Sequence, residues 1–383
     1  SSETVAAVAE NTDESETVEA AEEKVTDNLP EKDFGGMDFV IYTREITTHS
    51  PFLVEEINGE ELNDAIYQRN LSVEDRFKVK FSEEMYSDEG KPYTFITAGD
   101  NTYSLMNVRC TAANNIAQKG YAFPLSSLEY IDLTKPYWDE SITRDINVGD
   151  VNYFAIGDAN LVAIDFTNIL LFNKDILNNL SLDTSLYTLV DEGKWTFDTM
   201  VEYMATAARD LNGNGKVDAS DQFGAVSYSG CVKPLLFASG ETLMEKNAEG
   251  VPEIKTPGDR FYTVYADIVN SFYGDNNYFC DSNNTPGVSS YSEGWVGVFS
   301  QGHAMFFFDP VGSLKKLRDM DVEFGVLPYP KYEESQENYV SLISEYAAFC
   351  GIPVSNGDTE RTGVILENLC AESYNGVREA YNK

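Results

Sequence analysis

Basic side chains are scarce in this chain: 27 lysines and arginines stand against 64 aspartates and glutamates over 383 residues, a formal charge of −37. A nucleic-acid surface needs a basic footprint, and docking on anionic lipid needs one too, so the charge argues against both. It fits solubility, tolerance of cations and an uncharged ligand. Histidine is scarcer still: only His49 and His303 occur, which leaves little for zinc or for triad chemistry. Cys110, Cys231, Cys280, Cys350 and Cys370 are widely spaced, with no CxxC pair. Being odd in number they cannot all pair, so they read as small buried apolar residues and not as a disulfide framework. No run approaches the ~18 apolar residues of a membrane span. The GxSxG, HExxH, P-loop and dinucleotide glycine fingerprints are missing as well. The sequence starts at Ser1 without methionine, which fits a leader that has been removed.

What is present is enough for a sizeable core: 42% of the residues are hydrophobic, over a length that suits two domains. Residues 1–35 stand apart, with eleven acidic and two basic residues and no helical or strand period. They read as a disordered, self-repelling linker, or as an acidic tail without a role. Beyond them, residues 37–43 read as a buried strand, 62–70 as a helix, 77–81 and 92–97 as strands and 101–118 as a helix. This is the βαβα rhythm of an α/β lobe with largely parallel strands. Extended segments follow at 152–156 and 161–172. Thr196 is placed to cap a helix whose Phe197, Met200, Val201, Met204 and Ala208 recur at helical spacing. Further helices are expected at 259–273, 293–301, 312–320 and 359–374, with strands at 304–308 and 322–327.

The sharpest local signal is the run from Asp210 to Asp221. Oxygen-bearing side chains occupy loop positions 1, 3, 5, 9 and 12 (Asp210, Asn212, Asn214, Asp218, Asp221), Gly215 stands at the sharp turn, and Lys216 needs to offer only its carbonyl. A hard cation collects its oxygens from one short segment in this way, so the run reads as a structural Ca2+ loop. Asp in place of Glu at the last position reaches less far and weakens the expected affinity. An Asn/Gly-rich turn without metal would use the same residues.

Aromatics are plentiful, with 23 tyrosines, 22 phenylalanines and three tryptophans. Sugar rings have apolar faces and hydroxyl edges, and a site for them combines aromatic platforms with rim carboxylates or amides. Trp138 beside Asp139, and Trp295 beside Glu293, suit that chemistry, although a single tryptophan also suits a core. Trp195 reads as a staple against the helix after it. Asp309 follows a buried strand, where open α/β sheets bind ligands, and could equally cap a helix. With 64 carboxylates an acid/base pair of a glycosidase also stays open, though nothing selects one.

In order and spacing, several segments resemble the family 1 extracellular solute-binding proteins, the sugar-binding subunits of ABC importers. They are 163–175 ending in Phe172-Asn-Lys-Asp175, 186–200 with Gly193-Lys-Trp-Thr-Phe-Asp198, the 210–221 loop followed by Gln222-Phe-Gly224, then 299–307, 324–330 and 358–363. The resemblance runs from about residue 36 to the end. It implies a periplasmic-binding-protein-like type II fold, with two α/β lobes, a hinge and an interlobe cleft. Lobe one would hold 36–150 and 308–383, and lobe two 151–307 with the 210–221 loop. It also implies carbohydrate capture without catalysis by a monomer that works with ABC permease subunits. The protein would be an extracellular lipoprotein on the bacterial cytoplasmic membrane, tethered through its acidic leader. The ligand contacts expected are Asp100, Trp138, Asp139, Asp165, Tyr228, Trp295 and Asp309; Asp100 could instead cap a helix, and Asp165 could be a buried structural hydrogen-bonder. Family members usually continue past the equivalent of Lys383, so a shortened C-terminus is expected; a position they often fill with Arg holds His303 here. A secreted carbohydrate-active hydrolase on an acidic tether, and a calcium-dependent adhesion module, are the competing readings.

Overall fold

The computed structural model describes residues 24–45, 52–180, 185–274, 276, 278–289, 292–318 and 320–382. The chain builds one sheet, leaves it for a second, and comes back. First come β1 (Met37–Arg44), α1 (Glu61–Phe77), β2 (Val79–Tyr86), α2 (Lys91–Thr97), β3 (Tyr103–Arg109), α3 (Cys110–Gln118) and α4 (Glu140–Ile146). A 3-10 stretch, Asp158–Phe166, leads into β4 (Asn168–Asn173), α5 (Lys174–Asn179), α6 (Leu186–Asp191), α7 (Phe197–Ala207), β5 (Phe223–Ser227) and α8 (Val232–Ala238). Then follow a hairpin of β6 (Met244–Lys246) and β7 (Pro252–Ile254), α9 (Asp259–Tyr273), β8 (Phe279–Asp281), α10 (Ser292–Ser300), β9 (Ala304–Pro310) and β10 (Phe324–Leu327). The return adds β11 (Ala348–Gly351), α11 (Thr359–Glu372) and α12 (Arg378–Asn382).

The first sheet has the order β11-β3-β1-β2, with β11 antiparallel to the other three. The second has the order β10-β4-β9-β5-β8, in which β4 runs against its neighbours. Each sheet is packed on both faces. On β9, Phe306 and Phe308 join one core cluster and Phe307 the cluster on the opposite side, as the two-residue period of a strand requires. Helix α7 buries Phe197, Met200, Tyr203, Met204 and Ala207. Its start is the expected one, since the Thr199 amide donates to the Thr196 hydroxyl at 3.3 Å. The helix lies so close to β5 that a Cβ on Gly224 would meet the Met204 carbonyl oxygen at 2.4 Å. Trp195 is fully buried, and its indole donates to the Pro328 carbonyl at 3.0 Å. All five cysteines are free, and four of them are buried.

Several local readings change. Residues 91–97, expected as a strand over 92–97, form helix α2, with Pro92 in the first turn where a missing N–H costs nothing. The 101–118 stretch is two elements, a strand and a helix. Six of the seven residues of β3 are buried, and such a continuous run marks a strand covered on both faces. Residues 158–166 are 3-10 helix instead of extended, and 311–316 are 3-10 as well. Residues 24–34, read as part of a loose linker, are laid along the first lobe. The Asn375 side chain brackets Val25 at 2.9 and 2.8 Å, Asp27 meets Arg76 at 2.6 Å, and the Phe34 amide donates to the Phe77 carbonyl at 2.9 Å. Residues 1–23 lie outside the described residues.

Two stretches of chain connect the sheets, and they pair with each other. The Asn168 amide donates to Leu342 O at 3.0 Å, the Ser344 amide to Phe166 O at 2.9 Å, and Thr167 bridges Ile343. The return therefore comes near residue 343, whereas the sequence reading put it at 308: β9 and β10 both pair with β4 in the second sheet.

Candidate functional site

Side chains that follow the carboxyl ends of parallel strands are delivered to one edge of a sheet. In the second lobe this edge carries Tyr228, just after β5, and Asp309, near the end of β9. Helix α10 brings Trp295 beside them. The Trp295 indole N–H donates to Asp309 Oδ2 at 3.2 Å, and the Ser313 hydroxyl donates to the same oxygen. Asp309 is only 7% exposed, and burial pushes its carboxyl above the usual range against the pull of those two donors. The Tyr228 and Trp295 rings, both half-buried, lie 5.8 Å apart at 40° as a tilted pair. Just after neighbouring β8, the buried Ser282 hydroxyl has no hydrogen-bond partner among the described residues.

The matching edge of the first lobe carries Arg44 at the end of β1, Tyr86 at the end of β2 and Arg109 at the end of β3. Both guanidiniums converge on Tyr346 of the returning chain. The Arg109 Cζ stands 4.0 Å above its ring and the Arg44 Cζ 5.7 Å, and Arg44 Nη1 donates to the Tyr346 carbonyl at 2.7 Å. Glu89 approaches Arg44 at 3.6 Å and Arg109 at 3.9 Å. Beside them opens a cavity of about 310 Å³, lined by Glu89, Gly90, Tyr93, Arg109, Thr111 and Asn115.

The two edges face one another. Burial, Asp309, Glu345 and Tyr346 all act on the Tyr228 hydroxyl and push it up to about 12, so this second-lobe ring lies within electrostatic reach of the returning chain. Lys233 of α8 spans the same gap and pairs with Glu345 at 2.8 Å, which holds the Glu345 carboxyl below its ordinary value.

Of the seven ligand contacts expected from sequence, Tyr228, Trp295 and Asp309 come together here. The other four lie elsewhere. Asp100 precedes β3 at its amino end and accepts from Thr102 at 2.6 Å, far from the strand end that would face a ligand. Trp138 is 3% exposed, and its indole donates to buried Glu367 at 3.0 Å. Asp139 caps α4 through the Ile142 amide at 2.8 Å. Asp165 sits in the 3-10 stretch instead of a strand, at the hinge, and takes Lys315 at 2.9 Å and the Tyr381 hydroxyl at 2.5 Å. Sequence reading missed Arg44, Arg109 and Tyr346. Arg109 was hidden inside an expected helix, and the acidic balance turned attention to carboxylates.

In the 210–221 loop, Gly213 and Gly215 both adopt a φ of +69°, and Arg209 pairs with Gln222 to close the base. Asp210 accepts from the Gly213 and Gly215 amides at 2.7 and 2.8 Å. Asn212 accepts from the Asn214 amide, and Asn214 from the Lys216 amide. Asp218 accepts from Ser220, and buried Asp221 from Leu211 and Asp218. The oxygen donors and turn glycine suit a hard cation. Among the described residues, however, no three Asp, Glu, His or Cys side chains converge closely enough to share one.

Nothing matches the chain among sequence-based family profiles or among curated proteins. Solved structures do match. The ABC substrate-binding protein Lmo0181 from Listeria monocytogenes, in complex with cycloalternan, superposes with a TM-score of 0.56 at 12% identity over 87% of this chain and 75% of that one. A family 1 extracellular solute-binding protein from Bifidobacterium longum subsp. infantis gives 0.53 at 12% identity, over 91% and 81%. A cyclo/maltodextrin-binding protein complexed with maltotetraose gives 0.58 at 13%, over 90% and 80%. The chain has the solute-binding-protein fold. The expected α/β class, two lobes and hinge accord with that finding. Among the described residues no helix is long and apolar enough to cross a membrane.

Proposed function

We propose that this protein captures a carbohydrate, an oligosaccharide, between its lobes and delivers it to the permease of an ABC importer. The observation that carries this reading is the Tyr228–Trp295 pair set beside buried Asp309 at the strand ends of lobe two, opposite Arg44 and Arg109 of lobe one. Aromatic faces take the apolar face of a sugar ring, and a buried acceptor takes its hydroxyls. Solved neighbours of the same fold hold cycloalternan and maltotetraose.

The role is binding and not turnover. A ligand touching both edges favours the closed arrangement by its extra affinity for that form, and the paired crossing strands at 166–168 and 342–344 absorb the motion. A permease would read the closed form. We place the protein outside the cell, as a monomeric lipoprotein whose acidic N-terminal stretch serves as the tether. The 210–221 loop would take Ca2+ as a staple behind α7, once the cation draws its carboxylates together. Calcium chloride should then raise the melting temperature, a chelator should reverse it, and Asp210→Ala should abolish the effect; no shift would leave a plain turn.

A thermal-shift screen against oligosaccharides, followed by chromatography of the incubated sugars, tests the main reading. A ligand at 100 times its Kd adds about 2.7 kcal/mol of stability. Stabilisation with the sugar intact supports capture. Sugar consumed would replace it with hydrolysis.

A further inference from the structure

We infer that Asp165, Lys315 and Tyr381 form a pin across the hinge, and that these positioning residues tie the ligand edge of lobe two to the setting of the lobes. The inference rests on the capture reading and adds a coupling to it. Asp165 belongs to the 3-10 stretch Asp158–Phe166, one residue before the Phe166 carbonyl that takes the Ser344 amide and two before the Thr167–Ile343 bridge. Its carboxylate therefore sits at the pivot, on a residue 7% exposed. Partners reach it from both lobes. Lys315 donates at 2.9 Å from the 3-10 stretch after β9, which Leu314 and Leu317 anchor in a core cluster of lobe two. The Tyr381 hydroxyl donates at 2.5 Å from α12, where the Tyr381 side chain packs against the lobe-one cluster of Ile66, Leu161 and Val377. Burial, and then Asp165 itself, push that hydroxyl up, which keeps it a donor. Lys315 Nζ also stands 6.0 Å over the Tyr381 ring. At the other end of the crossing stretch, Arg378 of α12 approaches Asp158 at 3.6 Å. Helix α12 thus splints the first crossing at both ends.

A short piece of chain joins the pin to the ligand edge. Ser313, two residues before Lys315 in the same 3-10 stretch, donates to the Asp309 oxygen that also takes the Trp295 indole. One tight turn therefore holds the candidate ligand acceptor by one side chain and the pivot by the next but one. That turn has little room to slide: a Cβ on Gly312 would stand 3.2 Å from the Asp165 carbonyl oxygen and 3.3 Å from the Asp165 Cβ. A shift of Asp309 toward a sugar hydroxyl is thus felt at Lys315, and through Asp165 at both crossings. Loss of the lysine would leave a buried carboxylate short of a donor, which is costly, so the pin resists separation of the lobes. The physical warrant for coupling is this contiguous chain of contacts acting on one hinge.

The experiment joins amide hydrogen exchange of the unliganded whole chain to calorimetric titration with maltotetraose. It compares wild type with Asp165→Asn, Tyr381→Phe, Lys315→Met and Lys315→Arg. The hinge amides of Asn168 and Ser344 should exchange about tenfold faster in the first three variants, while core amides of β1 and β9 keep their wild-type rates. Maltotetraose should bind those three at least about fivefold more weakly. Lys315→Arg keeps the charge and should keep both properties. Hinge amides at wild-type rates in all three folded variants would overturn the pin; if binding weakened all the same, Asp165 would be a ligand contact instead. Faster hinge exchange with undiminished binding would overturn the coupling. Wild type that bound no maltotetraose would count against the capture reading, and the exchange rates alone would then decide the pin.

Discussion

Two tryptophans in this molecule make the same bond in opposite surroundings. Trp138 donates its indole N–H to Glu367 at 3.0 Å, and Trp295 donates to Asp309 at 3.2 Å. Both carboxyls are buried, and burial raises both above the usual range. Glu367, on the buried side of α11, is enclosed by the Tyr137 hydroxyl at 2.6 Å and the Asp132 amide at 3.3 Å, and the Trp138 face packs so tightly that a Cβ on Gly157 would stand 2.7 Å from it. Asp309 stands at the end of β9, and its tryptophan is only half-buried, beside Tyr228. A Trp–carboxylate pair is therefore no signature by itself. Its place relative to the strand ends decides whether it holds a core together or meets a ligand.

That contrast can be broken in four ways, taken from the largest effect to the smallest. Trp138→Ala should cost about 3–5 kcal/mol of stability, read by denaturant unfolding, and should change ligand affinity no more than its loss of folded protein explains. The second test is pH. Burial pushes Glu367 up to about 7 from an ordinary 4.5, and Asp158 up to about 6 despite Arg378. A raised carboxyl means that the native state binds the extra proton, so this contribution is full below about pH 4.5 and is lost as pH rises through about 7. Comparison of wild type with Glu367→Gln across that window should isolate a slope on the order of 2–3 kcal/mol. Third, Trp295→Ala should leave the fold in place and weaken carbohydrate binding at least about tenfold, on the order of 1.4 kcal/mol, by calorimetry. Fourth, Lys233→Gln removes a pair that is half exposed on both sides, and should cost less than about 1 kcal/mol of stability. A larger loss would mean that the two edges are locked together and not merely adjacent.

Much of the frame was legible before any coordinates. The helix at Thr196 declared itself through its cap and a 3.6-residue period, the helices at 259 and 359 stand where they were expected, and β1 and β9 declared themselves through short apolar runs. Three residues of the candidate edge in lobe two were named from sequence: Asp309 because it follows an apolar strand, Trp295 as an aromatic beside Glu293, and Tyr228 with them. In lobe one that logic failed because β3 read as helix, so Arg109 had no visible strand end to stand on. Asp165 and Trp138 failed for another reason. Sequence shows that a polar or aromatic residue lies near a hinge or crossing, but not whether another segment such as Tyr381 or Glu367 arrives to cover it. Those partners are more than 200 residues away in the chain.

The most direct test of the account is titration of the same oligosaccharide panel against wild type, Trp295→Ala and Trp138→Phe, with folded fraction measured in parallel. The account predicts that wild type and Trp138→Phe bind a common sugar and leave it intact, while folded Trp295→Ala loses at least about tenfold in affinity. Undiminished binding in Trp295→Ala would contradict it, because the ligand would then lie somewhere other than the edge where Tyr228, Trp295 and Asp309 meet.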